Sequence, residues 1–165
     1  MLKSENIFLR TLQASDADVM LKWENDPQIW VVSGTKKPFT KEEIDEFVKG
    51  NHDLKENQQI RYFICLNESI KPIGTIDLFE YNAHKKMAGV GVLIAEDANK
   101  QKGFATEALS LMIHYCRNEL GVVNLFCNIT KDNTASIRLF EKNGFQFVKE
   151  QVLFGMEVNY YELKL

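Results

Sequence analysis

The sequence predicts an α+β fold, a mixed and mostly antiparallel central sheet with helices on both faces. Three observations predict it. Strand-like apolar runs in the first half are joined by short polar turns, and strands joined that way pair antiparallel. In the second half, runs at 87–95 and 122–129 are separated by a helix-length amphipathic stretch, and such a strand–helix–strand unit is parallel. Helical stretches stand on either side of the strand runs, enough to cover a sheet on its faces.

Residues 7–12 read as a first strand. Ser15 or Asp16 can cap a helix carrying Val19, Met20 and Trp23. Asn25-Asp26-Pro27 stops it, because the residue before proline disfavours helical backbone. Residues 28–38 read as irregular and contain Trp30, Val31 and Val32. Thr40 and Glu43 have capping-box spacing, and the helix they open runs through Ile44, Phe47 and Val48 to Gly50-Asn51. Residues 51–59 read as a polar surface loop. Residues 61–66 and 72–79 are strands around a turn at 67–69, and 80–86 is a polar connection. Residues 87–95 are apolar on both sides of the alternation in their second half, which marks a central strand.

After a helix ending near Leu120, residues 122–129 read as another buried strand. Asn133 or Thr134 caps a short helix through Ile137, Leu139 and Phe140, closed by a left-handed cap at Asn143-Gly144. Residues 145–148 and 156–165 are two closing strands. The last of these, read as unpaired on one side, leaves a homodimer open. No repeat, low-complexity segment or linker divides residues 1–165, which are expected to form a single domain.

The 165 residues are 45% hydrophobic and 26% charged, ordinary for a globular protein with a substantial core. A net charge of −3 argues against nucleic acid as the main partner. Cys65, Cys116 and Cys127 sit in apolar runs without metal-ligand spacing, so no metal is expected, and an odd set of buried thiols suits a reducing compartment. The N-terminus has no apolar signal region and no run approaches a membrane span. A cytoplasmic protein without membrane contact is the expectation.

The most informative stretch runs from Val90 to Cys116. A strand gives way to a polar loop with Lys100 and Lys102, then Gly103, then a helix whose apolar face carries Ala105, Ala108, Leu109, Met112, Ile113 and Cys116. The first turn of a helix has backbone N–H groups without intrahelical partners, and its dipole favours anions. Gly103 leaves that backbone accessible. A phosphate or pyrophosphate suits the site. The alternative is a glycine that only relieves backbone strain, beside solvated lysines.

Three features coincide: the loop Lys100 to Ala105, the segment Asn133 to Phe145 with its Ile137, Leu139, Phe140, Glu141, Lys142, Gly144 pattern, and the element order. Together, and over nearly the whole chain, they resemble the GCN5-related N-acetyltransferase (GNAT) superfamily, an acyl-CoA N-acyltransferase-like fold. Trp23 to Pro27 and Glu80 to Lys86 look most like the branch of ribosomal-protein N-terminal and spermidine acetyltransferases. The resemblance implies acetyl-CoA as co-substrate and a small-molecule or peptide amine as acceptor. It implies a diphosphate held by Lys100, Gln101, Lys102, Gly103, Phe104, Ala105 and Thr106, with Gln101 where many members carry another glycine. It implies a pantetheine arm paired with backbone at Leu93, Ile94 and Ala95 and hydrogen-bonded by Asn133.

An amine attacking a thioester must be neutral, and only about one alkylamine in 10³ is neutral at pH 7. Many relatives place a tyrosine general acid where this chain has Phe140, which has no proton to give. Cys127, Tyr160 and Tyr161 are the candidate donors; the alternative for each is a packing residue. Glu80 is the first candidate base and Asp77 a weaker one. Trp30 and Tyr81 could wall the acceptor site, and His84-Lys85-Lys86 could touch the CoA 3′-phosphate, though a solvated hairpin tip is the simpler reading. His52 and His114 have no partner that the sequence names. The competing function is a non-catalytic acyl-CoA-binding or partner-binding module of the same fold, which Phe140 keeps open. A doubly wound nucleotide-binding fold is disfavoured by the early antiparallel strands and the missing Gly-x-Gly-x-x-Gly pattern.

Overall fold

The computed structural model of the chain describes residues 2–29 and 35–165. Among these, strands β1 (Leu2–Lys3), β2 (Ile7–Thr11), β3 (Ile60–Leu66), β4 (Pro72–Asn82), β5 (Met87–Ile94), β6 (Asn124–Thr130), β7 (Gln146–Leu153) and β8 (Met156–Lys164) form one sheet. Its order is β1-β2-β3-β4-β5-β6-β8-β7. The helices are α1 (Ala17–Glu24), α2 (Lys41–Lys49), α3 (Leu54–Asn57), α4 (Phe104–Asn118) and α5 (Thr134–Lys142). Connection length sets the pairing. Short turns make β3–β4, β4–β5 and β7–β8 antiparallel, while α4 carries the chain back so that β5 and β6 run parallel.

Each sheet face buries its own core. Leu109, Met112 and Cys116 of α4 and Phe140 of α5 lie with Ile64, Ile76, Leu78, Val90 and Leu125 on one face. Met20 and Trp23 of α1 and Ile44 and Val48 of α2 lie with Phe63 and Cys65 on the other. Successive side chains of a strand point to opposite faces, so Phe63 and Ile64 serve different cores. The Trp23 and Phe63 rings sit 5.7 Å apart. A mixed sheet covered on both faces is the architecture that the alternation predicts.

The structure corrects several element boundaries. Thr40 caps α2 as expected, accepting from the Glu43 N–H at 3.2 Å. Residues 51–59 are not all loop: Asp53 caps the one-turn helix α3 by accepting from the Glu56 N–H at 2.9 Å, and Leu54 is buried. Four residues are too few for a periodicity to show. Residues 27–29 are helical, with Pro27 at the opening position that suits its fixed φ and missing N–H. Asp16 does not cap α1 with its side chain; it is buried against Arg10, which donates at 2.7 and 2.8 Å. The last strand is not an edge. β8 lies between β6 and β7, and the sheet's edges are β1 and β7.

Near the entry of α4, the carboxylate of Glu107 ties down the β1–β2 turn. It accepts from the Ser4 hydroxyl at 2.7 Å, from the Asn6 N–H at 3.1 Å and from the Asn6 side chain at 3.1 Å. Partial burial opposes the charge, but the three donors outweigh it and hold the pKa below the usual glutamate value. A folded-state pKa below the unfolded one stabilises above the unfolded pKa, and that contribution is lost as pH falls through the folded pKa. Glu107→Gln should therefore lower Tm at pH 7, and the gap to wild type should close below the ordinary glutamate range; a pH series of melting curves checks this.

Candidate active site

β5 pairs with β4 as far as Ile94, but its parallel pairing with β6 stops at Gly89 opposite Phe126. Beyond that point the two strands part. The Phe79 ring lies across Gly89, where a Cβ would come within 2.3 Å of it, and meets Phe126 edge-on at 5.6 Å. Among the described residues, the β6-facing edge of β5 is therefore without a strand partner from Val90 on.

The gap opens into a groove of about 680 Å³. Residues 90–95 of β5 and its end make one wall and residues 127–130 of β6 the other. Gly103, Phe104, Ala105 and Thr106 of the α4 entrance line it, as do Asn133, Ser136 and Phe140. Glu24, Arg61, Thr75 and Asp77 also line it, as do Leu153, Phe154, Met156 and Val158 of the β7–β8 hairpin.

The α4 entrance presents unpaired backbone donors. Gly103 is the N-cap, at φ +84°, and among the described residues no side chain caps the helix. The first intrahelical bond runs from the Glu107 N–H to the Gly103 carbonyl at 3.0 Å, so the amides before Glu107 lack helical acceptors. A Cβ on Gly103 would meet nothing within 4 Å. Gln101, in the loop just before, is also left-handed, at φ +60°, a backbone that glycine adopts more readily. Lys100 lines the groove beside it, bonded to Asp97 at 2.9 Å.

This donor-only turn fits a diphosphate, and the open edge of β5 fits an extended amide-bearing arm added as a strand. Asn133 caps α5: its side-chain oxygen accepts from the Ser136 N–H at 3.2 Å. With that oxygen engaged, its amide N–H groups are the donors this groove-lining side chain can offer. Lys100→Glu should weaken CoA binding severalfold at low salt, with the difference shrinking as salt screens the exposed charge; titration calorimetry at two ionic strengths checks this.

Among the carboxylates, Asp77 and Glu24 line the groove and Glu80 does not. The register slips between Phe79 and Asn82, and Glu80 sits at that irregularity, exposed, with φ +48°. Strand β4 runs on to Asn82, so the connection expected over 80–86 is shorter, a turn at residues 83–86. Arg61 grips Asp77 through two hydrogen bonds at 2.9 and 2.8 Å and Glu24 through one at 2.8 Å. Burial works against the charge on Arg61, but the two carboxylates outweigh it and raise its pKa.

Of the other candidates, Cys127 lines the groove, while Tyr160, Tyr161, Tyr81 and Lys102 are not among its lining residues. Burial pushes the Cys127 thiol well above its usual pKa. It pushes the Tyr160 hydroxyl, which donates to Glu162 at 2.9 Å, up to about 12. Burial also raises the pKa of Tyr161, which is buried and packs edge-on against Phe147. Tyr81 is buried in the core. Lys85 belongs to a tight turn closed by Asn82. His52 sits edge-on to Phe47 with its ring nitrogen 3.0 Å from the Val48 carbonyl, and His114 meets Asn118 on an exposed helix face. Trp30 lies outside the described residues.

Sequence reasoning missed the Glu24–Arg61–Asp77 network. Its signal was present: opposite charges at Arg61 and Asp77 in two consecutive, otherwise apolar strands. Register then sets them directly opposite one another.

Comparison with known proteins agrees with this geometry. The acetyltransferase (GNAT) domain family model matches residues 6–146. N-acetyltransferase p20 of Bacillus licheniformis is 29% identical over 154 residues, which covers 92% of this chain and 84% of that protein. The structure of spermidine N-acetyltransferase from Vibrio cholerae, in complex with CoA and spermine, superimposes with a TM-score of 0.83 at 19% identity, over 96% of this chain and 95% of that one. The GNAT-family acetyltransferase from Bacillus anthracis superimposes with a TM-score of 0.82 at 19% identity, over 98% and 96%. Strand splay, uncapped helix entrance and sequence match converge: the chain belongs to the GNAT family of acetyl-CoA-dependent N-acetyltransferases.

Proposed function

We propose that the protein moves the acetyl group of acetyl-CoA to a primary amine bound at the Glu24–Arg61–Asp77 end of the groove. The observation that carries this is the β5–β6 splay leading to the uncapped entrance of α4. Gly103, Phe104, Ala105 and Thr106 would hold the diphosphate through backbone N–H groups, with Lys100 adding charge. The free edge of β5 and Asn133 would orient the arm. Bound acetyl-CoA supplies a thioester carbonyl open to attack by an amine. The two carboxylates and one guanidinium at the acceptor end sum to one negative charge, which favours an ammonium on arrival. The Vibrio cholerae relative, whose structure contains spermine, is consistent with a cationic acceptor.

No groove residue is a free base among those described, since Asp77 and Glu24 are both engaged by Arg61. Desolvation against the apolar wall then has to favour the neutral amine. The leaving thiol has an ordinary pKa near 8.5 and departs as thiolate without needing a proton first. Cys127, its pKa raised by burial, is a weaker acid than the thiol it would protonate. On this reading kcat/KM for the amine rises about tenfold per pH unit from pH 7 to 9, following the neutral fraction. A plateau setting in near pH 7 would instead reveal an internal base.

The reading is tested by incubating the protein with acetyl-CoA and a panel of polyamines, alkylamines, aminoglycosides and N-terminal peptides while following free CoA. Turnover with an amine supports it. Tight CoA binding with silence across the panel would point to the non-catalytic module, which Phe140 at the usual tyrosine position favours.

A further inference from the structure

The β7–β8 hairpin closes in two residues. Leu153 pairs with Met156, and between them Phe154 and Gly155 take φ +50° and +78°. Left-handed backbone at both central positions is the turn that Asn-Gly prefers. A bulky residue with a Cβ is poorly suited to the first position. Phe154 is also 89% exposed, so the fold gains no burial from its ring. Neither local backbone preference nor core packing accounts for phenylalanine here.

Its position does. Phe154 lines the groove with Leu153, Met156 and Val158. Val158 shares a sheet face with Tyr160, which stacks on Phe126 at 5.6 Å; Phe126 meets Phe79, and Phe79 shares its face with Asp77 two residues earlier. The hairpin and the Glu24–Arg61–Asp77 network therefore stand on the same side of the sheet, the side that carries α1 and α2. The groove thus has a charged wall and an apolar one where the acceptor would sit.

We propose that Phe154 is an acceptor-binding residue, its ring covering the hydrocarbon stem of a primary alkylamine whose nitrogen lies toward the carboxylates. This rests on the acetyltransferase reading above and narrows its substrate class. Sugar amines are disfavoured, because their hydroxyls would be desolvated against Leu153, Phe154, Met156 and Val158 without partners.

The test is acetylation of n-alkylamines from propyl to hexyl by wild type, Phe154→Asn and Phe154→Tyr, with CoA affinity and Tm measured for each. In wild type KM for the amine should fall about two- to fourfold per added methylene. In Phe154→Asn the dependence on length should flatten, with KM for hexylamine up about tenfold. CoA affinity should stay the same, and Tm should be equal or higher because asparagine suits the turn. Phe154→Tyr should keep the length dependence. An unchanged length profile in Phe154→Asn overturns the inference while leaving the transferase standing. So does a wild type that acetylates amino sugars in preference to alkylamines. A wild type that neither binds CoA nor acetylates any amine overturns the functional reading and this inference together.

Discussion

Gly103→Val should weaken CoA binding on the order of 100-fold. Two causes act in the same direction. Gly103 sits at φ +84°, where a β-branched residue costs about 1–2 kcal/mol, so the helix entrance shifts or destabilises. A side chain there would also project into space that is open in the free protein and keep a phosphate off the first-turn amides. Hydrogen bonds to a charged group are each worth about 1.5–3 kcal/mol, so losing one or two gives the stated factor. Gly103→Asn separates the causes, since asparagine tolerates the left-handed region yet still adds a side chain. It should keep Tm and still lose affinity. Calorimetric CoA affinity for Gly103→Val within threefold of wild type would remove the α4 entrance from the cofactor site.

The second large effect is expected at Arg61. Arg61→Leu strips Asp77 of two hydrogen bonds and Glu24 of one, and leaves the two carboxylates near each other without the cation between them. Breaking a fully buried pair costs about 3–5 kcal/mol. Here Arg61, Glu24 and Asp77 keep 24%, 23% and 31% side-chain exposure, so solvent screens part of the loss. About 2 kcal/mol is the expectation, or roughly 4–8 °C in Tm at pH 7. Arg61→Lys should recover only part of it, because an ammonium cannot make the paired contact with Asp77. Thermal melts of the two variants at pH 7 check this; an Arg61→Leu Tm within 1 °C of wild type would show the network to be energetically idle.

Much of this was legible in the chain because the signals were local. Apolar alternation marked most of the strands, and the period of the α4 face marked that helix. Thr40 and Asn133 opened helices where short polar side chains can accept from the turn ahead. Gly103 before an amphipathic helix announced an exposed helix entrance, and the pattern from Asn133 to Phe145 carried the family resemblance. Each of these depends on residues within a few positions of one another. The one-turn helix α3 and the two-residue strand β1 were missed for the same reason: they are shorter than any period that could reveal them.

What the sequence determined by itself was the class of fold, the α4 entrance and the family. What only the tertiary structure decided was the partnership of distant residues. The strand order that puts β7 rather than β8 at the edge, the parting of β5 from β6 after Gly89, and the meeting of Glu24, Arg61 and Asp77 are all outcomes of register between segments far apart in the chain. The slip after Phe79 that puts Tyr81 into the same core as Leu78 is another. A one-residue change of register moves a side chain to the opposite face of a sheet. Registers across this sheet are fixed by how two cores pack at once, and no local stretch of sequence carries that information.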